Sequence, residues 1–315
     1  MTTSGSSNFA ISRDDIIRDA LETIGFTEFG DGIDPNITES CARKLNLMVK
    51  AWMAEGAHLW AMSQATMFFE VGTATYSLGL TGDHCTNTYV QTTLSTDEAT
   101  SSTSIGLTAY AGMADGDNIG IMLDDGTLHW TTISGTPGAT TTITTGIASA
   151  ATAGNVVFTY TSKINRPQRI DTDAAYWRSS AAFDLPVTVC SRDEYAQLVN
   201  KSSQGKVVNI FYNPQLVNGN LSVWPTPDSA SDVLRFWYER PLEDFDEGTD
   251  TPDFPIEWGS ALTLNLAKAL AVNPRFQVPL PTQSIISKMA TDALDKAMGY
   301  DKENTSVFFQ PETRW

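Results

Sequence analysis

From Gly82 to Tyr160 the chain is dense in Thr, Ser, Gly and Ala, broken only by short alternating apolar runs. Such a stretch cannot sustain the three- and four-residue apolar spacing of a packed helix, so it has to pair as strands. The clearest pair is Ile119–Leu123 and Thr127–Ile133. The Asp124-Asp125-Gly126 link between them accepts the positive φ angles of a tight hairpin turn. Thr140–Thr145 and Asn155–Thr161 supply further strands, and residues 82–162 read as an inserted all-β module.

The period changes on both sides of this stretch. Ser12 and Asp15 are spaced as a capping box with the shorter acid, Ile11 and Ile16 as a hydrophobic staple, and Ile16, Ile17, Ala20, Leu21 and Ile24 form one stripe before Gly25. A second helix is expected from near Thr38 to Gly56, with Cys41, Leu45, Met48, Val49 and Trp52 on one face. Near the other end, Pro255 suits a first helical turn, and Trp258, Leu262, Leu266, Ala269 and Leu270 draw a stripe that stops at Asn273-Pro274. A last helix, from about Thr282 to Met298, places Ile285, Ile286, Met289, Ala293, Leu294 and Ala297 together, with Gly299 at the position of a left-handed stop. Trp52, Trp258, Leu262 and Leu266 are the expected packing residues of a four-helix core.

Between these regions, strands are expected at Ala65–Val71, Thr73–Leu78, Val187–Val189, Val207–Tyr212, Leu221–Trp224 and Val233–Tyr238. Ser191 to Glu194 forms a capping box that opens a short helix. The sequence therefore predicts an α+β fold in which a helical bundle from the two termini is the core and β elements project from its middle. The expected divisions are 1–81, 82–162, 163–250, a helical hairpin at 251–299 and an extended arm at 300–315. The arm holds Val307, Phe308, Phe309 and Trp315 without any repeat that would bury them locally, so they are expected to contact a partner.

The charge is asymmetric. The net charge is −17, and between Lys50 and Lys163 there is no Lys or Arg, while Asp115, Asp117, Asp124 and Asp125 fall in that span. Tight binding to phosphates needs clustered cations, so repulsion from nucleic acid is expected. Those four acids are candidates for a channel wall or for a solvated surface.

No phosphate-binding loop, dinucleotide fingerprint, zinc-protease or nucleophile-elbow motif is present. Carboxylate pairs such as Glu243/Asp246 or Asp193/Glu194 are the only catalytic candidates, and charged loops and helix caps account for them. The acidic loop Asp244–Asp250 lacks the full spacing of a calcium loop. Cys41, Cys85 and Cys190 are far apart, and His84-Cys85 has only His58 and His129 as other imidazoles. No cofactor, metal or catalytic residue is therefore expected. The N-terminus lacks the basic region and apolar core of a signal peptide and no long apolar run occurs, so synthesis and assembly in the cytoplasm, away from membranes, are expected.

Several segments, in this order, resemble the head-to-tail adaptor proteins of short-tailed bacteriophages. They are Asn46-Leu47-Met48-x-Lys50-x-Trp52 with His58-Leu59-Trp60, Ser191-Arg192-Asp193-Glu194-Tyr195, Asn200-Lys201 with Gly205, and Trp224-Pro225-x-Pro227-Asp228. Tyr238-x-Arg240-Pro241-Leu242, Phe254-Pro255-x-Glu257-Trp258 and Asp301-x-Glu303-x-x-Ser306-Val307 complete the series. The resemblance covers most of the chain outside 85–162. It implies a non-enzymatic virion protein of the neck, a twelve-fold ring beneath the portal protein that extends the DNA channel, helps retain packaged DNA and receives a downstream tail or nozzle protein. Double-stranded DNA would pass through without tight binding. The alternative is a glycan-binding or cell-wall-degrading tail component built on the β module.

Overall fold

The computed structural model describes residues 5–6, 9–28, 30, 32–55, 59–179 and 183–300. The chain divides into two compact units. One is built from the segments up to Ala61 and from Leu242 onward, the other from Met62 to Pro241. The stretch 62–81, grouped by sequence with the N-terminal helices, contributes its strands to the second unit.

The described residues contain five α-helices: α1 (Arg13–Thr23), α2 (Pro35–Glu55), α3 (Arg192–Gln197), α4 (Gly259–Ala271) and α5 (Leu280–Tyr300). In the first unit α1, α2, α4 and α5 pack around Ile16, Leu21, Leu45, Trp258, Leu262 and Leu266. Helix α1 starts as its sequence dictates, with both hydrogen bonds of the Ser12/Asp15 capping box in place and Ile16, Ile17, Ala20 and Leu21 fully buried. Helix α2 begins three residues earlier than its stripe suggests, because Pro35 is pre-set for a first turn and Asp34 accepts the Asn36 amide. Helix α5 runs through Gly299 rather than stopping there. Its seam with α4 is centred on Ile286, Ala290 and Ala297, which leaves Ile285 and Met289 61 % and 48 % exposed.

The second unit contains all the strands: β1 (Met62–Phe68), β2 (Thr75–Leu78), β3 (Cys85–Thr86), β4 (Val90–Thr93), β5 (Ser104–Gly106), β6 (Asn118–Met122), β7 (Leu128–Thr132), β8 (Thr140–Thr142), β9 (Val156–Tyr160), β10 (Arg169–Arg178), β11 (Asp184–Pro186), β12 (Thr188–Val189), β13 (Gln204–Gly205), β14 (Asn209–Asn213), β15 (Gly219–Trp224), β16 (Thr226–Pro227) and β17 (Val233–Glu239). A five-stranded sheet, β11-β10-β17-β1-β3, and a four-stranded sheet, β12-β14-β15-β2, enclose one core that includes Met67, Tyr76, Trp177, Ile210, Val223 and Phe236. This is a β-sandwich. Between β3 and β10 the chain leaves it to form a separate four-stranded sheet, β4-β9-β6-β7, and the β5-β8 pair. These have their own core around Ile105, Ile119, Ile121, Ile133 and Val157.

These sheets overturn the expected fold class. A helical bundle is not the core from which β elements project: among the described residues helix and strand each take 28 %, and the strands form five sheets. Helices α1, α2, α4 and α5 form one unit, while α3 and the described strands belong to a second, larger unit that has independent cores. The sequence pattern understated the β content because β10, which pairs with the central strand β17, reads Arg-Ile-Asp-Thr-Asp-Ala-Ala-Tyr-Trp-Arg without clean alternation. Seven other strands are only two or three residues long.

Within the inserted module the hairpin expected at Asp124-Asp125-Gly126 forms between β6 and β7 with Met122 opposite Leu128, and Gly126 takes φ +84°. Gly120 lies opposite Trp130, and a Cβ there would come within 2.7 Å of the indole. Gly120→Ala is expected to push that ring off its seat and to cost about 1–3 kcal/mol, measurable as a lowered thermal midpoint.

Candidate functional site

Segments far apart in sequence meet in a clamp within the first unit. Asn46 and Lys50 stand one turn apart on α2 and face the chain that leads toward α4. The Asn46 side-chain amide donates to the Phe245 carbonyl at 3.2 Å, and its oxygen accepts the Phe245 amide at 2.9 Å. Lys50 donates to the Leu242 carbonyl at 2.8 Å and pairs with Asp244 at 2.6 Å. Leu242 and Phe245 are thereby held in the helical core.

A quartet of aromatic rings closes the next turn. Trp258 lies 4.9 Å from Trp60, 5.8 Å from Trp52 and 5.6 Å from Phe254 between ring centroids. The Trp60 indole N–H donates to the Asp253 carbonyl. Trp52, Trp258, Leu262 and Leu266 are all buried. Asn46→Ala would leave both backbone groups of Phe245 without this partner. A loss of about 1–3 kcal/mol in urea unfolding is expected.

The acidic loop is tied by protein groups. Asp250 accepts the amides of Asp246 and Glu247, and Asp253 accepts that of Glu243. Arg13 donates to the Asp246 carbonyl, and the amides of Arg13 and Asp14 donate to the carbonyls of Asp250 and Gly248. Among the described residues no group of three or more His, Cys, Asp or Glu is arranged to hold a metal ion. Glu194 is the capping partner of Ser191, which holds its carboxyl below the usual range. Cys41, Cys85 and Cys190 are buried free thiols, each raised by desolvation.

The four acids of the module staple its turns. Asp115 accepts the Gly135 amide, and Asp117, 3 % exposed, accepts that of Ala114. Asp124 accepts from the Thr152 amide and hydroxyl and from the Asn155 side chain; Asp125 accepts from the amide and hydroxyl of Thr127. These bonds to the charged form lower the pKa of Asp124 and Asp125. The acidity of the module is thus partly a folding device. Asp124 and Asp125 remain at the surface, whereas Asp117 is buried.

Two exposed apolar features stand out. In the sandwich, the β2–β3 and β14–β15 turns lie side by side: Leu78 pairs with Gly219, Asn218 and Thr81 share a side-chain hydrogen bond of 3.0 Å, and a Cβ on Gly79 would strike Asn218. These fixed tips carry Leu80, Leu216 and Val217, exposed by 65, 95 and 73 %. The pair Leu216-Val217 inside Asn213-Pro214-Gln215-Leu216-Val217-Asn218-Gly219 was the available sequence signal for this patch. In the helical unit, a groove of about 480 Å³ between α4 and α5 is lined by Leu264, Met289 and Ala293 with Glu257, Asp292 and Lys296 at its sides. Val307, Phe308, Phe309 and Trp315, the expected contact residues of the arm, lie outside the described residues.

No described helix is long and apolar enough to cross a membrane. In comparisons with known proteins, the sequence matches no family model and no curated protein.

Proposed function

We propose that the protein is a structural virion component of a short-tailed bacteriophage: a ring-forming adaptor that docks beneath the portal protein, extends the DNA channel, helps retain the packaged genome and offers the attachment site for the next tail or nozzle protein. The observation that carries this reading is the display of large aliphatic side chains on tethered elements, Leu80, Leu216 and Val217 on locked turns and Ile285 and Met289 on α5. A monomer gains nothing from holding such residues in water, whereas a subunit that contacts copies of itself and other proteins uses them.

The clamp supports the more specific part of the reading. The pieces of the resemblance at Asn46–Trp60 and Leu242–Trp258 are separated by about 200 residues in sequence yet gather into one set of hydrogen bonds and rings. Heterologous contacts that close on themselves turn one such chain into a ring, and a net charge of −17 disfavours adhesion to DNA passing through it. Its function is binding and symmetry without a chemical step, and its place is the neck of the virion.

Native mass spectrometry of the protein alone and mixed with its phage's portal ring tests this reading. Addition of twelve subunits to the portal is the expected result. A chain that stays monomeric and does not associate would overturn the adaptor reading and favour a glycan-binding or wall-degrading tail component.

A further inference from the structure

The inserted module meets the sandwich at an aromatic cluster separate from the core of either body. Phe68 of β1 and Val233 of β17 come from the sandwich; Tyr89, Leu128, Trp130, Val156, Phe158 and Tyr160 come from the module. Phe68 is the hub, with ring centroids 4.9 Å from Phe158, 5.1 Å from Trp130, 5.5 Å from Tyr89 and 5.8 Å from Tyr160. Its neighbour Met67 points into the sandwich core, so the alternation of one strand serves both bodies.

A polar lock stands on each side of the hub. Arg235 donates to the Tyr89 hydroxyl at 3.2 Å and lies 5.5 Å from its ring centre. On the other side His84, one residue before β3, stacks on Trp130 with centroids 3.8 Å apart and planes within 6°. His84 Nδ1 shares a 2.5 Å hydrogen bond with the Tyr160 hydroxyl, and its carbonyl accepts the Phe68 amide at 3.2 Å. The imidazole is therefore anchored by its backbone to the sandwich and by its ring to the module.

We propose that this junction is an acid-sensitive joint: neutral His84 fixes the module on the sandwich, and protonation of His84 releases the module while both bodies stay folded. Burial and the Lys163 ammonium favour the neutral form. Lys163 donates to the Gly82 carbonyl, two residues before His84, and its ammonium opposes a second positive charge. The Asp83 carboxylate accepts the Ser77 amide, and the Tyr160 hydroxyl and Cys85 thiol are both raised by burial, so they stay protonated. From β1 the cluster offers the apolar ring of Phe68, and Arg235 lies with Tyr89. Stacking of an imidazolium on Trp130 returns part of the cost as a cation–π contact.

Burial first, and Lys163 second, push the His84 pKa from 6.5 to about 4. In the released module the ring returns to its ordinary value. The released form therefore binds more protons between these two values, so the joint holds fully above about pH 6.5 and weakens as pH falls toward 4. The full difference corresponds to about 300-fold in the release equilibrium, and solvent screening of the partly exposed ring makes the effect smaller than that.

Double electron–electron resonance on the full chain reads the joint directly. Spin labels at T136C in the module and Q215C in the sandwich occupy exposed positions, while the native thiols are buried. A single distance is expected at pH 7.5, with a second population appearing reversibly between pH 6.5 and 4. His84→Phe, which keeps a flat ring without a titrating proton, should remove the pH response. Lys163→Met, which relieves the repulsion and so brings the His84 pKa in the joint closer to its released value, should make the second population smaller and shift its appearance to lower pH, and it decides the matter if the first variant does not fold. An unchanged distance down to pH 4 in the parent chain, the same response in His84→Phe, or no shift in Lys163→Met would overturn the proposal.

Discussion

Replacing Trp258 with alanine is expected to remove about 3–5 kcal/mol of stability, the range for deleting a fully buried indole from a core. The side chain is 1 % exposed and touches Trp52, Trp60 and Phe254, so its loss empties the centre of the clamp instead of trimming an edge. Neighbouring rings cannot close the gap cheaply. Trp52 is fixed on α2, and Trp60 is held through its bond to the Asp253 carbonyl. A typical domain is stable by about 5–15 kcal/mol, so the helical unit should unfold at much lower urea. Hydrogen exchange should show loss of protection in α1, α2, α4 and α5, with the sandwich strands unchanged. Trp258→Phe should lose less than half as much. A parent-like urea midpoint for the alanine variant would show that the ring quartet does not organise this unit.

The second large effect concerns assembly. Under the proposed adaptor function, the pair Leu216→Asp and Val217→Asp is expected to weaken ring formation on the portal by at least about 100-fold, since burying an aliphatic side chain of this size is worth about 1.5–3 kcal/mol and each 1.4 kcal/mol is tenfold. Both residues are largely in water in the free subunit, so the thermal midpoint should hardly move. Gln215→Asp, at the same turn, should leave assembly near normal. Analytical ultracentrifugation of subunit and portal mixtures separates the cases, and unchanged assembly with the double variant would remove these tips from the contact surface.

Local chemistry made particular elements legible. The Ser12/Asp15 and Ser191/Glu194 capping boxes form as spaced, and the Asp-Gly turn pins the β6–β7 register. These features depend on residues three or four apart, and such interactions are present in the sequence itself. Helix α5 shows the limit. Its apolar residues were visible, but which of them face α4 depends on a rotation of about one residue, which buries Ile286 and leaves Ile285 in water.

The misread balance between helix and sheet has a similar cause. The strand β10 has a weak pattern of its own and exists because β17 pairs with it, and β3 is two residues long, held beside β1. The four acids of the module looked like a surface field, yet their carboxylates are engaged by turn amides that only the folded loops bring near. Asn46 and Lys50 carried a visible four-residue spacing, but nothing local indicates that their partners are the backbone groups of Phe245 and Leu242.

The sequence by itself determined where helices cap, where the module begins to alternate, the tight turn at Gly126 and the sign of the charge. Each of these follows from interactions over a few residues or from composition. The tertiary structure alone decided that the β body has its own cores, that Phe68 and His84 join the module to the sandwich, and that Leu216, Val217 and Ile285 face water. Those outcomes depend on which distant surfaces pack together, and the free energy of burial belongs to the pair of surfaces and not to either segment.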